Sequence, residues 1–191
     1  MPNLYILAGC NGAGKTTAAY TILPEVLNCR EFVNADEIAR GLSPFQPETV
    51  AFEAGRIMLQ RIDYLLEHNV DFALETTLST RSYVQTIKRA QAKGYEVRLF
   101  YVWLESVEIA KERVAIRVSK GGHNIPPDII ERRFERSLVN LMLLYLPICD
   151  NCLITNNSYG ELQIVAEFTM GEVIDIVDEK AWLGIQQYGK K

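Results

Sequence analysis

Short apolar runs alternate along the chain with longer stretches in which apolar residues recur at helical spacing. Asn3 to Ala8, closed by Gly9, reads as a strand buried on both faces, because the run leaves no polar face for solvent. A helix follows from near Lys15 and is expected to stop before Pro24, whose ring cannot continue it. Glu31 to Asn34 reads as a second short strand. From Pro47 to Glu67, the residues Val50, Ala54, Ile57, Ile62 and Leu65 fall near a helical period, with Pro47 suited to the first turn. Val70 to Leu74 is the third strand.

The second half repeats the alternation. Thr80 to Lys93 is helical and ends at Gly94, where a left-handed residue is wanted. Tyr95 to Leu104, rich in Val, Tyr, Phe and Trp, reads as a central strand. Ser106 is suited to cap a helix reaching about Ser119. The run Gly121-Gly122-His123-Asn124-Ile125-Pro126-Pro127 then interrupts the chain. A helix from about Asp128 to Leu146 follows, with Ile130, Phe134, Leu138 and Leu141 on its core face. Cys152 to Thr155 is the fifth parallel strand. Ile164 to Phe168 and Glu172 to Val177 flank Thr169-Met170-Gly171 as a β-hairpin, and a short helix closes the series. Strands alternating with helices require a parallel sheet covered on both faces. The expected fold class is therefore α/β, a three-layer α/β/α arrangement with a five-stranded, mainly parallel sheet and a C-terminal β-hairpin.

Composition narrows this only slightly. A chain of 191 residues with 48% hydrophobic and 23% charged residues is expected to form one domain over residues 1–191, with neither disorder nor a fibrous repeat. The formal charge of −4 speaks against a broad surface for nucleic acid, so a phosphate ligand needs a local basic site. The stretch from Met1 to Ala8 lacks the features of a signal peptide or anchor, and no later apolar run is long enough to span a bilayer; a cytoplasmic location is expected. Cys10, Cys29, Cys149 and Cys152 then read as reduced, buried thiols. Cys149 and Cys152 form a C-x-x-C, but His68 and His123 do not supply the paired spacing of a zinc site.

One motif carries specific chemistry. Gly9-Cys10-Asn11-Gly12-Ala13-Gly14-Lys15-Thr16 satisfies G-x-x-x-x-G-K-[ST] between an expected strand and an expected helix, the context that phosphate binding requires. Glycines let successive backbone N–H groups converge on a phosphate. Lys15 neutralises the β/γ oxygens, Thr16 offers a hydroxyl to Mg²⁺, and Thr17 can donate to the α-phosphate. The loop selects a nucleoside triphosphate but no reaction. Thr155-Asn156-Asn157-Ser158 lacks the Lys and Asp of a guanine reader, and no LSGGQ-type signature is present, which leaves a kinase.

Two further segments join the loop in a resemblance. Phe32-Val33-Asn34-Ala35-Asp36-Glu37-Ile38-Ala39 and Leu74-Glu75-Thr76-Thr77, together with arginines farther on, resemble the zeta-toxin family of P-loop kinases over roughly residues 3–158. The resemblance implies ATP- and Mg²⁺-dependent phosphoryl transfer to a sugar nucleotide, UDP-N-acetylglucosamine, at the 3′-hydroxyl of its amino sugar. It makes Asp36 the carboxylate that takes the hydroxyl proton, and Glu75 and Thr77 the glutamate and threonine of an E-G-T element. Thr76 stands where that element has glycine. Independently of the resemblance, Asp36, Glu75 and the loop all follow strand ends, where ligands of such sheets bind. Asp36 can also be read as a helix N-cap, and Glu75 as a strand-end carboxylate, as a group that orients Mg²⁺-bound water, or as one that holds the substrate.

The local basic site falls between Lys111 and Arg136, where seven Lys/Arg against four Asp/Glu give a net charge of +3. Such a segment suits a lid whose arginines reach the γ-phosphate. The family pattern implies one essential arginine at Arg117 and a second at Arg132 or Arg133. Asn34, Arg81 and Tyr83 are candidates for the acceptor pocket, and His123 reads as a surface-loop residue. Two other readings remain: a regulatory nucleotide-binding module that transfers nothing, and a nucleoside or RNA-end kinase. No antitoxin partner can be inferred from the residues.

Overall fold

The computed structural model describes residues 1–122 and 124–190. His123 lies outside the described residues. Strands β1 (Asn3–Ala8), β2 (Phe32–Val33), β3 (Phe72–Thr76), β4 (Glu96–Trp103) and β5 (Asn151–Asn156) are parallel, and β6 (Gln163–Thr169) and β7 (Glu172–Ile176) extend the same sheet antiparallel. The order is β2-β3-β1-β4-β5-β6-β7. The sheet thus has seven strands rather than five among the described residues, because the C-terminal hairpin pairs onto β5 through β6 instead of standing apart.

The helices are α1 (Lys15–Glu25), α2 (Ala35–Leu42), α3 (Ala51–Glu67), α4 (Tyr83–Ala92), α5 (Val107–Ser119), α6 (Pro127–Asn140) and α7 (Glu179–Gln186). Helix α1 does not stop before Pro24 but runs through it. The proline sits in the last turn, where it forfeits a single bond to the carbonyl of the exposed Tyr20. Helix α2 occupies the segment around Asp36, and its N-cap is Asn34: the Asn34 Oδ1 accepts from Asp36 N at 2.8 Å and Glu37 N at 3.4 Å. Asp36 is therefore inside the first turn and not the cap. A 3₁₀ turn over Pro47–Val50 leads into α3, and α6 widens into a π turn over Leu141–Tyr145. Ser106 caps α5 as expected, accepting from Ile109 N at 3.4 Å.

Side chains of Leu4, Ile6, Phe72, Leu74, Val97, Leu99 and Ile154 meet Met58, Ile62, Val114, Phe134 and Leu138 in the main core on one face of the sheet. A smaller cluster, with Tyr5, Leu7, Ala73, Ala19 and Leu23, seats α1 on the other. Alternation along β1 divides its residues between the two, as strand geometry requires. The sheet's carboxyl edge is left holding the ends of β1, β2 and β3 beside the start of α1. All four cysteines are free and buried. Burial raises Cys149 to about 12 and lifts Cys152 well above its ordinary value.

Candidate active site

The loop after β1 turns on glycines that nothing else could replace. Gly9 has φ +138°, and a Cβ there would fall on the Val102 carbonyl oxygen of β4; Gly12, at φ +80°, would place one 2.8 Å from the Ala110 carbonyl oxygen of α5. The loop is thereby pressed between the neighbouring strand and α5. Lys15, 6% exposed, donates to the Cys10 carbonyl at 3.0 Å across the loop's mouth. Burial drives the Cys10 thiol up to about 11 in spite of the Lys15 charge, so its role here is packing.

Glu75, at the end of β3, is the hub of the polar site. Its Oε2 accepts from Thr16 Oγ1 at 2.8 Å and from Asn34 Nδ2 at 2.9 Å, and its Oε1 is 3.6 Å from Lys15 Nζ. Asn34 uses its carbonyl to cap α2 and its amide N–H to hold Glu75, and is buried. The Asp36 carboxylate, in contrast, is exposed, at the N-terminal turn of α2 and facing the mouth of the site.

Three clefts meet at Asp36. The first, about 220 Å³, is lined by Gly12, Gly14, Lys15, Thr16, Thr17 and the arginines Arg113 and Arg117. The second, about 330 Å³, lies on the other side and is lined by Asn11, Lys15, Glu75, Thr77, Tyr83 and Arg133. The third, about 520 Å³, runs out past Arg40, Phe45, Glu48 and Arg117. Each of the three has Asp36 in its wall.

The second cleft is rich in hydroxyl groups: Thr76, Thr77, Ser79, Thr80, Ser82 and Tyr83 all line it. Thr76, in the place where glycine was expected from the resemblance, accepts from Leu78 N at 3.1 Å and so holds the turn in which Leu78 has φ +54°. Thr77 and Ser79 share a hydrogen bond of 2.8 Å. From α6 and its π turn, Asn140 donates to the Leu78 carbonyl at 2.7 Å and Tyr145 to the Thr80 carbonyl at 2.6 Å, fixing the wall to α6. Tyr83 is half-buried, and burial raises its phenol above the ordinary value.

The two arginine candidates on α6 part company. Arg133 is half-buried, lines the second cleft and donates to Asn11 Oδ1 at 3.3 Å, whereas Arg132 is exposed. Arg81 is exposed just before α4, next to Thr80 and Ser82 but outside the cleft lining. Two residues not singled out from the sequence also sit at the site. Arg113 lines the loop cleft one turn before Arg117, and its i,i−4 spacing from Arg117 was the available signal. Asn157 donates to the Ala13 carbonyl at 2.7 Å, a contact that the sequence, in which its segment stood out only as lacking a guanine reader's Lys and Asp, did not indicate.

A parallel sheet with a G-x-x-x-x-G-K-[ST] loop between β1 and α1, a carboxylate after β2 and arginines on α5 and α6 beside the loop defines the class of P-loop phosphotransferases. A family model described as Zeta toxin matches residues 1–149, and the chain belongs to the zeta toxin family. An uncharacterized protein of Haemophilus influenzae is 32% identical over 126 residues, which is 66% of this chain and 88% of that protein. Among solved structures, the complex of AvrRxo1-ORF1 and AvrRxo1-ORF2 with sulphate ions is similar with a TM-score of 0.78 at 19% identity, over 99% of this chain and 65% of that one. A structure of the same pair with ATP gives a TM-score of 0.76 at 20% identity, over 99% and 64%. The PezAT chromosomal toxin–antitoxin system of Streptococcus pneumoniae gives 0.69 at 18% identity, over 100% and 85%. The chain therefore spans somewhat less than two thirds of the AvrRxo1 chains it matches.

Among the described residues no helix is long and apolar enough to cross a membrane, and no group of three or more His, Cys, Asp or Glu could hold a metal ion. The oxygen donors at the loop are the Thr16 hydroxyl and the Glu75 carboxylate, in direct contact. Such a sparse all-oxygen set fits Mg²⁺, which keeps most of its waters and takes phosphate oxygens as ligands, better than a cation needing a protein cage.

Proposed function

We propose that residues 1–191 form one kinase domain that moves the γ-phosphoryl group of ATP onto a hydroxyl of a small molecule, a sugar nucleotide such as UDP-N-acetylglucosamine. The observation that carries this reading is the position of Asp36, an exposed carboxylate at which the triphosphate cleft and the hydroxyl-lined cleft meet. A polyol acceptor suits a wall of Thr and Ser side chains, which can both donate and accept.

In this reading the cradle amides and Lys15 hold the β- and γ-phosphates, with Thr17 at the first turn of α1 toward the α-phosphate. Asp36 orients the acceptor hydroxyl and takes its proton as the new P–O bond forms and the bond to the β-phosphate oxygen breaks, releasing ADP. Positioned base catalysis of this kind is worth ~10²–10⁴ in rate. Thr16 and Glu75 would hold Mg²⁺, which when bound supplies charge neutralisation to the phosphate oxygens. Arg117 from α5 lines the loop cleft and Arg133 from α6 the hydroxyl-lined one, and in this reading both meet charge developing on the transferred group. Asn34 supports Glu75, and Arg81, exposed beside Thr80 and Ser82, would meet the acceptor's charged portion.

PezAT is by its description a toxin–antitoxin system, and a protein partner that covers the same clefts is compatible with this reading. The test is transfer of label from γ-labelled ATP to a panel of sugar nucleotides, nucleosides and RNA 5′ ends. Label on a sugar nucleotide is expected. ATP binding with no labelled product from any acceptor would favour a regulatory module instead.

A further inference from the structure

The Thr155-Asn156-Asn157-Ser158 segment does not read a guanine, yet it is built into the phosphate cradle. Asn157 follows β5, its own N–H donating to the Trp103 carbonyl at 3.0 Å. Its side-chain Nδ2 donates to the Ala13 carbonyl at 2.7 Å, and a Cβ on Gly14 would lie 2.6 Å from the same nitrogen. Asn157 is thus seated directly against the loop. Its carbonyl in turn accepts from Arg113 Nη2 at 2.7 Å, with the Ser158 carbonyl at 3.1 Å from the same nitrogen. The turn itself is held by Ser158, whose N–H and hydroxyl both donate to Asn156 Oδ1, at 2.9 and 2.6 Å.

A trans peptide plane points its carbonyl and the following N–H in opposite directions. Holding the Ala13 carbonyl outward therefore turns the Gly14 N–H the other way, toward the interior of the loop. Gly14 has φ +93°, a conformation that only glycine adopts without strain, so the peptide has no side chain of its own to fix it. We infer that Asn157 is a positioning residue for triphosphate binding: its amide pre-aims the Gly14 N–H at the phosphate, while its carbonyl ties the same point to α5 and the lid. This rests on the cradle reading of the proposed function and adds to it a brace from the end of β5, two strands from β1.

The experiment compares wild type with Asn157→Asp, which keeps the shape but replaces the donor by an oxygen facing the Ala13 carbonyl, and with Asn157→Ala. Titrations with tripolyphosphate and with Mg²⁺-ATP are expected to weaken about tenfold in both variants, the scale of one lost part-buried hydrogen bond. In steady state KM for ATP should rise by the same factor, with kcat and the acceptor KM within twofold. In amide NMR the Gly14 N–H should move downfield on tripolyphosphate addition in wild type and fail to do so in Asn157→Asp. Equal tripolyphosphate affinity in all three proteins, or an unchanged Gly14 response, overturns the assignment. So does a fall in kcat and acceptor affinity equal to the loss of ATP affinity, which marks a general structural role. Wild type that binds no tripolyphosphate at all overturns the cradle reading and this inference with it.

Discussion

Thr16 and Glu75, fifty-nine positions apart in the chain, are joined by a hydrogen bond of 2.8 Å from hydroxyl to carboxylate. The same carboxylate lies 3.6 Å from the Lys15 ammonium, so the end of β3 is tied to the first turn of α1 by one acidic group. Both partners of that ion pair are nearly buried, and removing the charge on one side alone leaves the other uncompensated. In Glu75→Gln, Lys15 is released toward the phosphates while an oxygen suited to a Mg²⁺-bound water is lost. ATP affinity without magnesium should hold or improve, and the half-saturating magnesium concentration for catalysis should rise about tenfold or more. Calorimetry with and without magnesium, followed by a magnesium titration of activity, reads both. An unchanged magnesium requirement would remove Glu75 from the metal's surroundings.

Asp36 and Lys15 predict opposite splits between binding and chemistry. Asp36→Asn keeps the first turn of α2 intact, because the cap is made by Asn34 and not by Asp36. The expected outcome is a kcat lower by ~10²–10⁴ with ATP affinity within about twofold. Lys15→Ala should lose ATP affinity as well as activity, since its ammonium lies at the mouth of the phosphate loop. Steady-state rates alongside titrations separate the two. Loss of ATP binding in Asp36→Asn would mean that the carboxylate shapes the cradle instead of the acceptor.

What the sequence disclosed follows from how local each signal is. The phosphate loop was legible because its G-x-x-x-x-G-K-[ST] spacing lies within one strand-turn-helix unit, although the contacts that demand Gly9, Gly12 and Gly14 come from β4, α5 and Asn157. The convergence of Asp36 and Glu75 on the loop followed from a topology that puts strand ends together, whereas Arg117, on α5, was pointed to by the family pattern alone. Helix α2 was legible only in the alternative reading of Asp36 as a helix N-cap, because its short run lies too close to a strand to show a period, and its actual cap is Asn34, the residue directly after β2. The attachment of the hairpin to β5 depends on pairing across the sheet edge, which no local pattern encodes. Asn157 was invisible for the same reason: its partner, Ala13, is 144 positions away.

The choice between Arg132 and Arg133 gives a direct contrast between neighbours. Arg133 is drawn into the second cleft and holds Asn11 of the loop, while Arg132 is exposed on the outer face of α6. Arg133→Ala should lower kcat by a factor on the order of 10³, the lower end of what arginine assistance contributes in phosphoryl transfer. Arg132→Ala should stay within about threefold of wild type, because exposed charge pairs contribute little. The two variants, assayed at saturating ATP and acceptor, decide it; equal losses would place both side chains at the transferred phosphate.

The buried thiols predict how stability depends on alkaline pH. Burial is the main cause that raises Cys10 and Cys29 from 9.0 to about 11, and Cys149 from 9.0 to about 12. In the unfolded chain these groups ionise near their ordinary value, while in the folded protein they keep their protons. Below pH 9 both states hold the protons and the thiols contribute no pH dependence. Above it the unfolded state alone releases them, so unfolding becomes progressively easier up to about pH 11 to 12, where the folded thiols ionise as well. Denaturant midpoints at pH 7.5 and 8 should therefore agree, and that at pH 10 should be lower. In Cys29→Ala the drop should shrink. Iodoacetamide at pH 8 should label none of the four cysteines before unfolding, because each is buried and carries its proton. Rapid native-state labelling of Cys149 or Cys152 would instead mark that C-x-x-C as a reactive pair.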